Sequence, residues 1–210
     1  AMDRFFHEHP KFEREFQQIV ARINNSSSVS NSTEYFITDI EFADPTINAR
    51  VDIMGIRWLA SHRKNGGHCR PVFIEKKFGD GALSGKAGLL KHLQDFRLIL
   101  SDQEKYERLC QTIESQFAQL DQLGFMTYNH STNETFPLLD PKKKPEVIFL
   151  LANHNPRSTK LATILKDPLL DEFAASDLFD LRFFVSQFAG YALHSDCMVT
   201  LEEFRALLKR

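Results

Sequence analysis

Glu75 and Lys77 stand two positions apart in the strand-like run Pro-Val-Phe-Ile-Glu-Lys-Lys-Phe at residues 71–78, and Asp52 sits in the middle of an earlier strand-like run, residues 49–58. Side chains at i and i+2 of a strand project to the same face. Glu75 and Lys77 therefore point together with Phe73, whereas Lys76 points away with Val72 and Ile74. If the two runs pair as neighbours, Asp52 reaches the same spot. Charges on the apolar face of a half-buried strand require partners. Two carboxylates and a lysine meet that requirement in one of two ways: an Asp52–Lys77 or Glu75–Lys77 ion pair closing the end of a sheet, or an oxygen-ligand site for a hard divalent cation with a built-in ammonium.

The elements that must position these residues can be read from hydrophobic periodicity. Residues 4–25 have Phe12, Phe16, Ile19, Val20 and Ile23 at helical spacing, and the Asn/Ser tract 24–33 that follows is a loop. Residues 34–43 form a strand, Asp44-Pro45 a turn, and 49–58 the Asp52 strand. Residues 60–70, with Gly66-Gly67 and several basic side chains, read as a solvated connection to the 71–78 strand, giving an antiparallel meander of three strands. After a break at 79–85, the stripe Leu89, Leu93, Phe96 and Leu100 predicts a helix over 86–100, and a second helix spans 104–123. A polar loop over 129–144 leads to the continuous apolar run 146–152, the pattern of a strand buried on both faces. A helix over 159–173 interrupted at Pro168, a strand over 181–188 and a capping box at Thr200–Glu203 close the chain. The expectation is one α/β domain over 1–210: an αβββαβ core at about 10–155, with a central mixed sheet flanked by helices, and C-terminal helix and strand additions over 156–210.

Asp52, then 22 intervening positions, then Glu75-Lys76-Lys77 resembles the signature of the PD-(D/E)XK nuclease superfamily, with Val51 where the signature places proline. The αβββαβ order is that of the restriction-endonuclease-like fold. The resemblance implies a metal-dependent hydrolase of phosphodiesters, acting most often on DNA, with Asp52, Glu75 and Lys77 as catalytic residues. Mg²⁺ or Mn²⁺ would be held by Asp52, Glu75 and the backbone carbonyl of Lys76, and Lys77 would lower the pKa of the attacking water or stabilise the charged transition state. Glu13 matches in location the first-helix glutamate of many superfamily members and is a further metal candidate. Asp39 and Glu41, both in the first strand and on one face, are weaker candidates for a second metal position and are expected to be solvated. Some branches place a glutamine on the helix after the E-x-K strand with tyrosine four residues on; here Gln94 is present and Leu98 takes the tyrosine's place. Arg50, Lys91, His92 and Gln94 are the candidate nucleic-acid contacts.

Charge distribution fits such a partner better than net charge does. The whole chain carries −2, yet residues 50–97 hold ten Lys or Arg against four acids, a local +6 around the candidate site. Cutting both strands of a duplex with one site per chain would imply a homodimer. Cys69, Cys110 and Cys197 form no C-x-x-C pair, which argues against a disulfide framework or a zinc site and favours a reducing, cytoplasmic setting. No apolar run is long enough to span a bilayer. P-loop, G-x-G-x-x-G and G-x-S-x-G motifs are all missing. The nineteen phenylalanines fall mostly on apolar stripes and are expected in the core. Two other functions fit the same fold: a non-catalytic nucleic-acid-binding module, and a protein-interaction domain.

Overall fold

A computed structural model describes residues 12–65, 69–85, 88–129, 137–155 and 157–208. Its centre is an open, mixed five-stranded sheet in the order β1-β2-β3-β4-β5. The strands are β1 (Tyr35–Asp44), β2 (Ala49–Arg57), β3 (Arg70–Phe78), β4 (Glu146–Ala152) and β5 (Asp180–Val185). The first three form the expected antiparallel meander, whereas β4 runs parallel to β3 and β5 parallel to β4. Parallel neighbours need a crossover. The first crossover comprises α2 (Leu89–Leu100) and α3 (Gln103–Gln122), following α1 (Phe12–Ser26); the second comprises α4 (Thr159–Leu165) and α5 (Pro168–Ala174). The chain ends through a short turn of helix, α6 (Ser186–Ala189), and then α7 (Leu201–Leu207).

Two apolar layers sandwich the sheet. Met54, Ile56, Phe73, Phe149, Leu151 and Phe183 face α2, α3, α5 and α7, whose Leu93, Phe96, Ile113, Phe117, Phe173 and Phe204 pack against them. Ile53, Val72, Ile74, Ile148, Leu150 and Phe184 face the other way, onto Val20 of α1 and onto Leu193 and Met198. β4 is buried along its whole length, as its uninterrupted apolar run requires. Each large side chain removed from water contributes about 1.5–3 kcal/mol. Gly55 lies against the β1 backbone: a Cβ there would stand 2.2 Å from the Phe36 carbonyl oxygen.

The expected interruption of the 159–173 helix at Pro168 is present: Pro168 has no N–H to continue the first helix, and the Asp167 carboxylate accepts from the Leu169 N–H to start the second. The structure departs from sequence expectation in three places. The last strand stops at Val185 rather than 188, where the chain turns into α6 and reverses at Gly190, φ 73°. The 60–70 connection is not simply solvated. Its first part is a 3₁₀ helix, Ala60–Asn65, and the buried Arg63 guanidinium donates to the Asn31, Thr33 and Trp58 carbonyls and lies over the Phe36 ring. Finally, β5 is no appendage, since it extends the same sheet beside β4. The helix predicted from residue 4 is described only from Phe12, and Lys86, the predicted start of α2, lies outside the described residues. The Thr200 capping box is present with both of its hydrogen bonds.

Candidate active site

Strand alternation in β3 works as anticipated: Glu75 and Lys77 emerge on the side of Phe73 and α2, and Lys76 on the side of α1. All three are buried. The β2–β3 ladder stops at Ile53↔Ile74, one step short of bringing Asp52 opposite Glu75. In place of a ladder carbonyl, the Asp52 carboxylate accepts from the Lys76 N–H at 2.9 Å. It thus lies close to the sheet plane where the two strands part. Lys77 Nζ donates to Glu75 Oε1 at 2.7 Å, and His92 Nε2, from the first turn of α2, stands 3.1 Å from the same oxygen.

The electrostatics are those of crowded acids in a poorly solvated spot. Burial raises the Glu75 carboxyl well above its ordinary value, and the Asp52 charge raises it further, while Lys77 pulls the other way. Burial also raises Asp52, against the Lys76 N–H bond and the Lys77 charge, which lower it. Both carboxyls open onto a cleft of about 590 Å³ between the β1–β2 hairpin and α2. Arg50, Lys91 and His92 line it too, so three of the four expected nucleic-acid contacts are brought together. Lys91 is engaged by Asp95 one turn on. Gln94 is exposed on α2 outside the lining. Glu13 is largely exposed and stands 3.6 Å from Lys76 Nζ, beneath the sheet relative to Glu75.

Glu41 carries more than the solvated role expected of it. The β1–β2 register, with Ile40↔Ile53 and Phe42↔Val51, sets Glu41 across from Asp52, and Glu75 follows one step beyond the last β2–β3 pair, Ile53↔Ile74. Three acids thus form a row across three neighbouring strands, and all three line the cleft. Glu41 has φ 59°, a left-handed conformation uncommon for a residue with a side chain. Counting residues outward from the Asp44-Pro45 turn pairs Glu41 with Asp52, but the place of Glu75 beside them depends on how β3 docks on β2. Asp39 instead accepts from Gln116 of α3. The wall of Phe42, Ile47, Leu98 and Ile99 gave no local signal, because apolar residues in a cleft and in a core read alike.

Among the described residues no three His, Cys, Asp or Glu side chains stand together as a ready-made metal cluster. The donor set nevertheless suits a hard divalent cation: two carboxylates, desolvated, mutually repelling and facing open space, gain most from a cation between them. No protein-family model, curated protein or solved structure matches this chain.

Proposed function

We propose that the chain is a metal-dependent nuclease that hydrolyses phosphodiester bonds, with DNA as the expected substrate, on a restriction-endonuclease-like core. One observation carries this reading: Asp52 and Glu75 converge where β2 and β3 part, with the Lys77 ammonium on Glu75 and a cleft edged by Arg50 and Lys91 in front. The order α1, β1–β3, α2–α3, β4 supports the fold assignment. Asp52, Glu75 and the Lys76 carbonyl would hold Mg²⁺ or Mn²⁺, which when bound neutralises phosphate charge and acidifies water.

The remaining work falls to the chain's own groups. Lys77, locked by its bond to Glu75, places a positive charge beside the reacting phosphate and stabilises the charge that builds there. Arg50 and Lys91 orient the backbone phosphates at the cleft edge. His92 holds Glu75 from the α2 side and stands close enough to exchange a proton with it.

The closed Lys77–Glu75–His92 contact favours one rival, a nucleic-acid-binding module in which these charges only stabilise the sheet end. Incubation with single- and double-stranded DNA and RNA under Mg²⁺, Mn²⁺ or EDTA separates the two. The nuclease reading expects metal-dependent cleavage that Glu75→Ala abolishes. Binding without cleavage in any metal would establish the rival.

A further inference from the structure

Lys76 is the middle residue of Glu75-Lys76-Lys77, and its side chain has no exposure at all. Alternation carries it to the face opposite Glu75 and Lys77, between the rings of Phe16 and Phe78, whose centroids lie 5.7 and 5.5 Å from Nζ. Among the described residues that nitrogen has no partner within hydrogen-bond distance. Glu13 of α1 stands 3.6 Å from it, and the charges of Asp52 and Glu41 also act on it. An ammonium removed from water without hydrogen bonds is costly. Two ring faces and a carboxylate that is 57% exposed offset only part of that cost. A methionine would fill the same slot without the penalty, so the charge itself needs an explanation.

The position of Asp52 supplies one. Its carboxylate accepts the backbone N–H of Lys76 and so lies between the two faces, with Glu75 and Lys77 on one side and the Lys76 ammonium with Glu13 on the other. A cation shared by Asp52 and Glu75 would occupy the first side. A second cation, shared by Asp52 and Glu13, would have to occupy the side that Lys76 fills. We infer that Lys76 is a fixed substitute for a second divalent ion: it neutralises Glu13 and the far side of Asp52, and restricts the chain to one bound metal. This rests on the reading of Asp52 and Glu75 as cation ligands, and it makes Lys76 a positioning residue.

Binding of Mn²⁺ alone, counted from the loss of the free-ion paramagnetic resonance signal, tests it without reference to cleavage. Wild type is expected to bind one Mn²⁺ per chain, and Glu13→Gln to leave that number unchanged, because Glu13 serves Lys76. Lys76→Met, close in shape and suited to the Phe16–Phe78 slot, is expected to bind two. Adding Glu13→Gln to it should return the number to one. Two ions in wild type, loss of the single ion on Glu13→Gln, or a single ion in a folded Lys76→Met would each overturn the inference. No Mn²⁺ in wild type would instead overturn the metal reading of Asp52 and Glu75, on which the inference depends. Glu13→Gln changes a largely exposed side chain, so that arm does not hinge on the folding of the Lys76 variant.

Discussion

Glu75 concentrates most of what is unusual about this chain at the level of single residues. Its carboxyl is buried, faces Asp52, and is held by Lys77 and His92. Folding raises its pKa from 4.5 to about 8, chiefly through burial. Between those values the folded state keeps a proton that the unfolded state releases, so the Glu75 contribution to stability falls as pH rises through the window. Thermal melts of the metal-free protein from pH 4.5 to 8 should show that decline, and Glu75→Gln should flatten it. A slope unchanged in the variant would place the proton elsewhere. Lys77→Met removes the cation from Glu75. The nuclease reading expects a loss of about 10²–10³-fold in kcat, the range for one electrostatic stabiliser. Single-turnover cleavage of a labelled oligonucleotide would measure it.

Elements place these residues by pairing and close approach. β2 can follow β1 only because Gly55 leaves room for the Phe36 carbonyl, and β2 carries Asp52 three residues earlier. Gly55→Ala would set a carbon 2.2 Å from that oxygen and force the two backbones apart. The expected cost is about 1–3 kcal/mol or more, visible as a lower denaturant midpoint. A variant of unchanged stability would mean that the hairpin is not packed this way. Legibility in the sequence was uneven at this scale. Alternation identified the faces of Glu75, Lys76 and Lys77, and the stripe of Leu89, Leu93 and Phe96 identified the buried side of α2. Gln94 and His92 are near neighbours on the same helix, yet only His92 reaches Glu75, a distinction that depends on how α2 is rotated against β3. Glu41 looked like a surface acid because nothing within β1 reveals what stands opposite it.

At the scale of the whole molecule, a five-stranded sheet is covered on both faces, and among the described residues no helix is long and apolar enough to cross a membrane. The two layers also protect two of the three thiols. Cys69 and Cys110 are buried, and burial pushes both thiols up to about 12, whereas Cys197 is exposed. Iodoacetamide at pH 8 should therefore modify Cys197 alone in the native protein and all three cysteines in denaturant, which peptide mass spectrometry can read. Modification of Cys69 or Cys110 at the native rate would show that the layer over β3 and α3 opens readily.

Local chemistry along the chain was enough to define most of the elements and the faces of β3 and α2. Period-two alternation decides which β3 side chains share a side, a 3.6-residue stripe decides which helix face is buried, and Thr200–Glu203 caps its own helix. Each of these depends on neighbours a few residues away. Tertiary structure alone decided that Asp52 stops the ladder and takes the Lys76 N–H, that Glu41 completes a row with Asp52 and Glu75, that Arg63 is buried beneath a loop, and that β5 joins the sheet. The same is true of Lys76. Alternation sends it away from Glu75, but only the packing of α1 onto the sheet encloses its ammonium between Phe16 and Phe78 and brings Glu13 to it. Register, crossover and burial are set by contacts between residues far apart in the chain, and no local pattern encodes those contacts.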